Sequence, residues 1–106
     1  MTTATGSRQD ARERFRRLAD QWKLESQYMS NTTQMLLLPS YLHIIGMGDQ
    51  AISLILGEMR SEPNQWFRAL EAITEDNPVP KEVAGKVELM TQAWIEWGIN
   101  NGYITR

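Results

Sequence analysis

Cysteine is absent from this 106-residue chain, histidine occurs once, and no apolar run is longer than the four residues from Met35 to Leu38. Without thiols there is no disulfide, no thiolate metal ligand and no cysteine nucleophile, and the composition fits a reducing compartment, the cytoplasm. His43 stands alone among apolar residues, with no second nitrogen ligand or clustered carboxylates at metal-binding spacing, so it is expected to be a packed or hydrogen-bonded side chain. No serine is set in a nucleophile-elbow sequence that could use it. A bilayer takes about 20 consecutive apolar residues, so a run of four excludes a spanning helix. Residues 1–7 are small and polar, without the basic start and apolar run of a secretory signal. The expectation is a protein with no catalytic residue, no cofactor, no metal and no membrane.

Two weaker chemical signals are also set aside. Gly46-x-Gly48 lacks the downstream glycine, the lysine and the preceding strand that let a glycine-rich loop hold phosphate. The neighbouring carboxylates Glu71, Glu75 and Asp76 could share a proton in an acid/base pair, but they fall on a polar face or in a turn, where solvated carboxylates are the rule.

What the chain does contain is helical periodicity. Ile52, Ile55, Leu56 and Met59 fall on one stripe of a 3.6-residue helix, opened by Gly48 and Asp49. Trp66, Phe67, Leu70 and Ile73 mark a second helix, with Pro63 at its start, where a missing N–H costs nothing. Ahead of this pair, residues 1–6 read as a flexible tail, and Ser7 with Asp10 opens a long helix over about 8–29 whose apolar side includes Phe15, Leu18 and Trp22. A short helix follows from Pro39 to a Gly46 cap. After the turn signal Asn77-Pro78-Val79-Pro80, an amphipathic helix is expected over about 80–98, with Val83, Val87, Met90, Trp94 and Trp97 as its seam and Gly85 inside it. The expected fold is therefore all-α, a bundle of about five helices with residues 7–106 as a single domain.

The run Ile44, Ile45, Gly46, Met47, Gly48, followed by Ala51, Ile52, Leu54, Ile55 and Leu56, and then by Trp66, Phe67, Ala69, Leu70, Ala72 and Ile73, resembles one HEAT-type helical hairpin over about 48–74. With Asn77 to Pro80 and the later Met90, Trp94, Trp97 and Gly98 added, the chain from Trp22 onward resembles a family of short bacterial all-helical proteins. That resemblance implies a fold and no activity. Stacked repeats need about three units to bury a continuous core, and only one copy is present, so a small bundle is expected rather than a solenoid.

Charge is unevenly shared. Residues 8–23 hold six basic and three acidic side chains, a formal +3, and the rest holds five and ten, a formal −5, giving −2 in all. Arg8, Arg12, Arg16 and Arg17 are thus candidate partner-binding residues on the first helix, although Asp10 to Arg14 and Glu13 to Arg17 also fit an ordinary solvated face. Four tryptophans are many for this length, and Trp94 and Trp97 serve either as core or as a recognition surface. The function expected is a non-catalytic protein-interaction module or small accessory subunit of a bacterial cytoplasmic complex, binding another protein or a second copy. The alternative is a nucleic-acid-associated regulator, or a component of a toxin–antitoxin, defence or mobile-element system, using the basic helix.

Overall fold

The computed structural model describes the backbone of residues 4–106 and the side chains of residues 9–106. Every regular element among them is helical: α1 (Ala4–Ser26), α2 (Thr32–Met35), α3 (Pro39–Gly46), α4 (Asp49–Ser61), α5 (Phe67–Thr74) and α6 (Val87–Asn100), with a 3-10 turn at Lys81–Val83. No described helix is long and apolar enough to cross a membrane. The chain gathers into two compact units, Met1–Ala51 and Ile52–Arg106, and the division falls inside α4.

In the first unit the apolar stripe of α1 buries Phe15, Leu18, Ala19 and Trp22, and α1 packs on α3. Trp22 carries that contact. Its ring lies 5.4 Å from the Tyr41 ring, and its Nε1–H donates to the Met35 carbonyl at 2.8 Å, so the indole is both packed and satisfied. Ser40 donates to the Glu25 carboxylate at 3.2 Å beside this contact. The bounds of α1 differ from the sequence pattern. The helix already includes Ala4–Gly6, where a tail was expected, and residues 1–3 of that tail lie outside the described residues. It stops at Ser26 rather than near Met29, where the Ser26 hydroxyl donates back to the Trp22 carbonyl at 2.7 Å and the Met29 N–H closes a tight turn on the Ser26 carbonyl at 3.0 Å. The polar break that follows holds an extra one-turn helix, α2, capped by Asn31, whose side-chain oxygen accepts from the Gln34 N–H. This is why six helices appear where five were expected.

α3 starts at Pro39 as its sequence predicts, and it buries Ser40, Tyr41 and Ile44. Leu42 and His43 face outward, which corrects the expectation of a packed histidine: at its turn of α3 the buried positions are taken by Tyr41 and Ile44. The left-handed residue after this helix is Gly48, at φ 69°, rather than Gly46.

In the second unit Ile52, Ile55, Leu56 and Met59 of α4 are all buried, as their spacing requires, together with Trp66, Phe67, Ala69 and Leu70 at and within α5. α5 begins at Phe67, not at Pro63, because the Trp66 N–H closes a tight turn on the Asn64 carbonyl at 2.9 Å. It ends at Glu75, whose φ of 56° is a left-handed conformation costly for a residue with a Cβ. Glu75→Gly is therefore expected to raise stability by about 0.5–1 kcal/mol, read as a higher urea midpoint at unchanged slope. No rise would mean that the Glu75 side chain makes a compensating contact.

The last helix is shorter than the pattern over 80–98 implied. Pro80 precedes the 3-10 turn, Gly85 adopts φ 88° in a turn rather than lying in a helix, and α6 starts only at Val87. Val83 is thus off the helical seam, and Met90 reaches back so that its sulfur accepts the Gly85 N–H at 3.3 Å. At the other end Gly102, at φ 80°, closes a Schellman turn: its N–H donates to Ile99 and the Tyr103 N–H donates to Gly98, at 3.2 and 2.8 Å. That turn sends residues 103–106 back along α6.

Candidate functional site

Two surfaces have the character of recognition sites, one in each unit. On the first, the four arginines named from sequence do not form one patch. At about 100° per residue, Arg12, Arg16 and Lys23 fall within about 40° of each other on one edge of α1, whereas Arg17 is turned about 100° from Arg16. Arg8 lies on α1, but its side chain is outside the described residues. Arg16 is held by Asp20, with 3.0 Å between charged atoms, and its guanidinium lies 5.9 Å from the Phe15 ring, so part of the basic edge is already neutralised.

Arg17 belongs instead to the outer ridge of α1 with Gln21 and Leu24, opposite the buried Phe15 and Trp22. Leu24 is 67% exposed, and Tyr28, in the turn just beyond the helix, is 92% exposed. Leu37 and Leu42 of the same unit are also exposed. Helical periodicity alone does not single these residues out.

In the second unit an open cleft of about 510 Å³ lies between the end of α4 and α6. Its base is Met59 with the partly exposed Ile95, and its walls include Arg60, Pro63 and the α6 ridge Glu88, Gln92 and Glu96. Those three α6 residues are four apart, so they line one edge of the helix. Thr91 also faces the cleft, but its hydroxyl is used on the Val87 carbonyl at 2.8 Å. Residues 105 and 106 fasten the rim: Arg60 donates to the Thr105 carbonyl at 2.7 Å, and Arg106 grips Glu96 through both carboxylate oxygens, at 2.9 and 3.2 Å. The cleft therefore already holds one guanidinium on an α6 carboxylate, and Glu88 at the other end of the ridge pairs with no described cation. The spacing of Glu88, Gln92 and Glu96 was legible in the sequence; the return of the chain onto them was not.

The tryptophan pair separates. Trp94 is fully buried, which removes it from any partner surface, while Trp97 stays partly exposed. Trp97 meets Trp94 edge-on at 5.3 Å, stacks on Tyr103 at 5.4 Å and donates its Nε1–H to Asp76 at 3.0 Å, so its faces are largely occupied by its own unit.

The carboxylates weighed as an acid/base pair do not converge on the cleft. Glu71 is on α5, Glu75 caps that helix, and Asp76 serves Trp97. Among the described residues no three His, Cys, Asp or Glu side chains gather as a metal-binding group. Compared with protein-family models, curated proteins and solved structures, the chain matches none of them.

Proposed function

We propose that this chain is a non-catalytic protein-interaction module, a small accessory subunit of a bacterial cytoplasmic complex, built around a HEAT-like hairpin formed by α4 and α5. The observation that carries the reading is the placing of exposed apolar side chains. Of the five large hydrophobic side chains exposed among the described residues, four (Leu24, Tyr28, Leu37 and Leu42) fall within residues 24–42 of the first unit. Their hydration is unfavourable, and recognition by a partner removes that cost. The test is purification of the tagged chain from its native host beside a Leu24→Glu/Tyr28→Glu variant. A stoichiometric partner is expected with the first and at least about tenfold less of it with the second, the loss that follows from removing anchors worth about 1.4 kcal/mol or more. No partner and no self-association would remove the proposal.

The nucleic-acid reading draws on the edge formed by Arg12, Arg16 and Lys23. It ranks second because Asp20 already neutralises Arg16 and the whole chain is acidic. Salt-sensitive binding to DNA or RNA, lost on reversing Arg12 and Arg16, would reverse that ranking.

A further inference from the structure

The outer ridge of α1 and the cleft beside α6 match each other in register as well as in character. On α1 the order is Arg17, Gln21 and Leu24, at offsets of zero, four and seven residues; on α6 it is Glu88, Gln92 and Ile95, at the same offsets. At 1.5 Å per residue, both rows place a charged group, an amide and an apolar side chain at about 0, 6 and 10.5 Å along the helix. Laid side by side in the same direction, the two rows would set a cation on the α6 carboxylate that no described cation covers, amide against amide, and the exposed Leu24 on Ile95, which lines the cleft with Met59 and Pro63. Tyr28, exposed in the turn just beyond the helix, adds apolar surface near the Leu24 end. Arg106 on Glu96 shows that a guanidinium is accepted on this same ridge. The uneven distribution of formal charge, positive over residues 8–23 and negative over the rest, favours this pairing between two copies and opposes like-with-like contacts.

From this match we infer that the protein self-associates, the α1 ridge of one copy entering the α4–α6 cleft of a second with Arg17 on Glu88. The pairing is helix-in-groove recognition, anchored by one ion pair and one leucine. Made reciprocally, with each ridge in the other's cleft, the contact closes a two-fold isologous dimer; made head to tail it is heterologous and extends a chain. The inference rests on the reading of Leu24 and Tyr28 as recognition residues and names what they recognise.

The test is a charge exchange in the full chain, with mass followed by light scattering from about 10 μM to about 1 mM, the range in which weak association is seen. The wild-type chain is expected to rise above monomer mass. Arg17→Glu and Glu88→Lys alone, each with an unchanged helical circular-dichroism spectrum, are expected to weaken association at least tenfold, because each sets like charges together. An equimolar mixture of the two variants restores opposite charges at both contacts. The introduced glutamate of one variant faces the introduced lysine of the other, and the Arg17 and Glu88 that each retains face one another, so the mixture is expected to associate like the wild type. A wild-type chain that is monomeric throughout, a single variant that associates undiminished, or a mixture that does not recover would each overturn the inference. A monomeric wild type that still captures a partner through Leu24 and Tyr28 would end self-association alone and leave the interaction-module reading standing.

Discussion

Trp94→Ala is expected to cost about 3–5 kcal/mol, the range for truncating a large buried aromatic, and so to remove a large fraction of the roughly 5–15 kcal/mol by which such domains are stable. Trp94 is completely buried and meets Trp97 edge-on, so truncation opens a cavity and strips one side of the neighbouring ring. The conservative change divides two contributions. The Trp94 Nε1–H is buried and has no hydrogen-bond partner among the described residues, so Trp94→Phe gives up volume and contact without breaking a bond, and it is expected to cost less than about 1.5 kcal/mol. Trp22 is the contrast: its Nε1–H donates to the Met35 carbonyl at 2.8 Å, and Trp22→Phe leaves that carbonyl only the Leu38 N–H at 3.4 Å, at an added cost of about 0.5–1.5 kcal/mol. Urea midpoints of the four chains, wild type included, decide the matter. A Trp94→Ala chain within about 1 kcal/mol of wild type would place this side chain outside the core.

Gly98→Ala and Gly57→Ala are expected to move stability in opposite directions, although both glycines are inside helices. Intrinsic propensity favours alanine at each by about 1 kcal/mol. At Gly57 a Cβ meets nothing within 4 Å and the position is exposed, so that gain is realised. At Gly98 a Cβ would stand 2.5 Å from Leu56 Cδ1 and 3.2 Å from Ile104 Cγ1. Leu56 is fully buried and cannot swing aside without disturbing its neighbours, so overpacking of about 1–3 kcal/mol outweighs the propensity gain, with Gly98→Val worse still. Combining Gly98→Ala with Leu56→Ala is expected to cost less than the sum of the two single changes, since each relieves the other. Additivity in that double variant would mean that α4 and α6 do not approach this closely.

Much of the fold was legible where the side-chain period was strong. The stripe Ile52, Ile55, Leu56 and Met59 is buried without exception, because a helix of this pitch has one side on which four such residues can leave water together. The helix ends were less legible, since ends depend on single backbone angles and on hydrogen bonds made after the chain has turned. Gly85 read as a tolerated glycine inside a helix, and its φ of 88° makes it the break that delays α6 to Val87. Ser26 read as part of a continuing helix, and the tight turn of the Met29 N–H onto its carbonyl marks the stop.

The candidate site was legible in its ingredients but not in its assembly. Arg12, Arg16 and Arg17 are present as read, yet helix rotation turns Arg17 away from the others and toward Leu24. Trp94 and Trp97 share a seam by spacing, yet only Trp94 is sealed; Trp97 stays partly exposed even with Tyr103 laid on one of its faces by the Gly102 turn.

By itself the sequence determined that this protein is helical, which stripes leave water, and that thiol chemistry is absent, since period, composition and residue type carry that information locally. Only the tertiary structure decided where Arg60 and Glu96 are engaged by residues 105 and 106, which tryptophan is sealed, and that a cleft opens between α4 and α6. Each of those depends on groups far apart in the chain meeting within hydrogen-bond or van der Waals distance, and no local pattern specifies such a meeting.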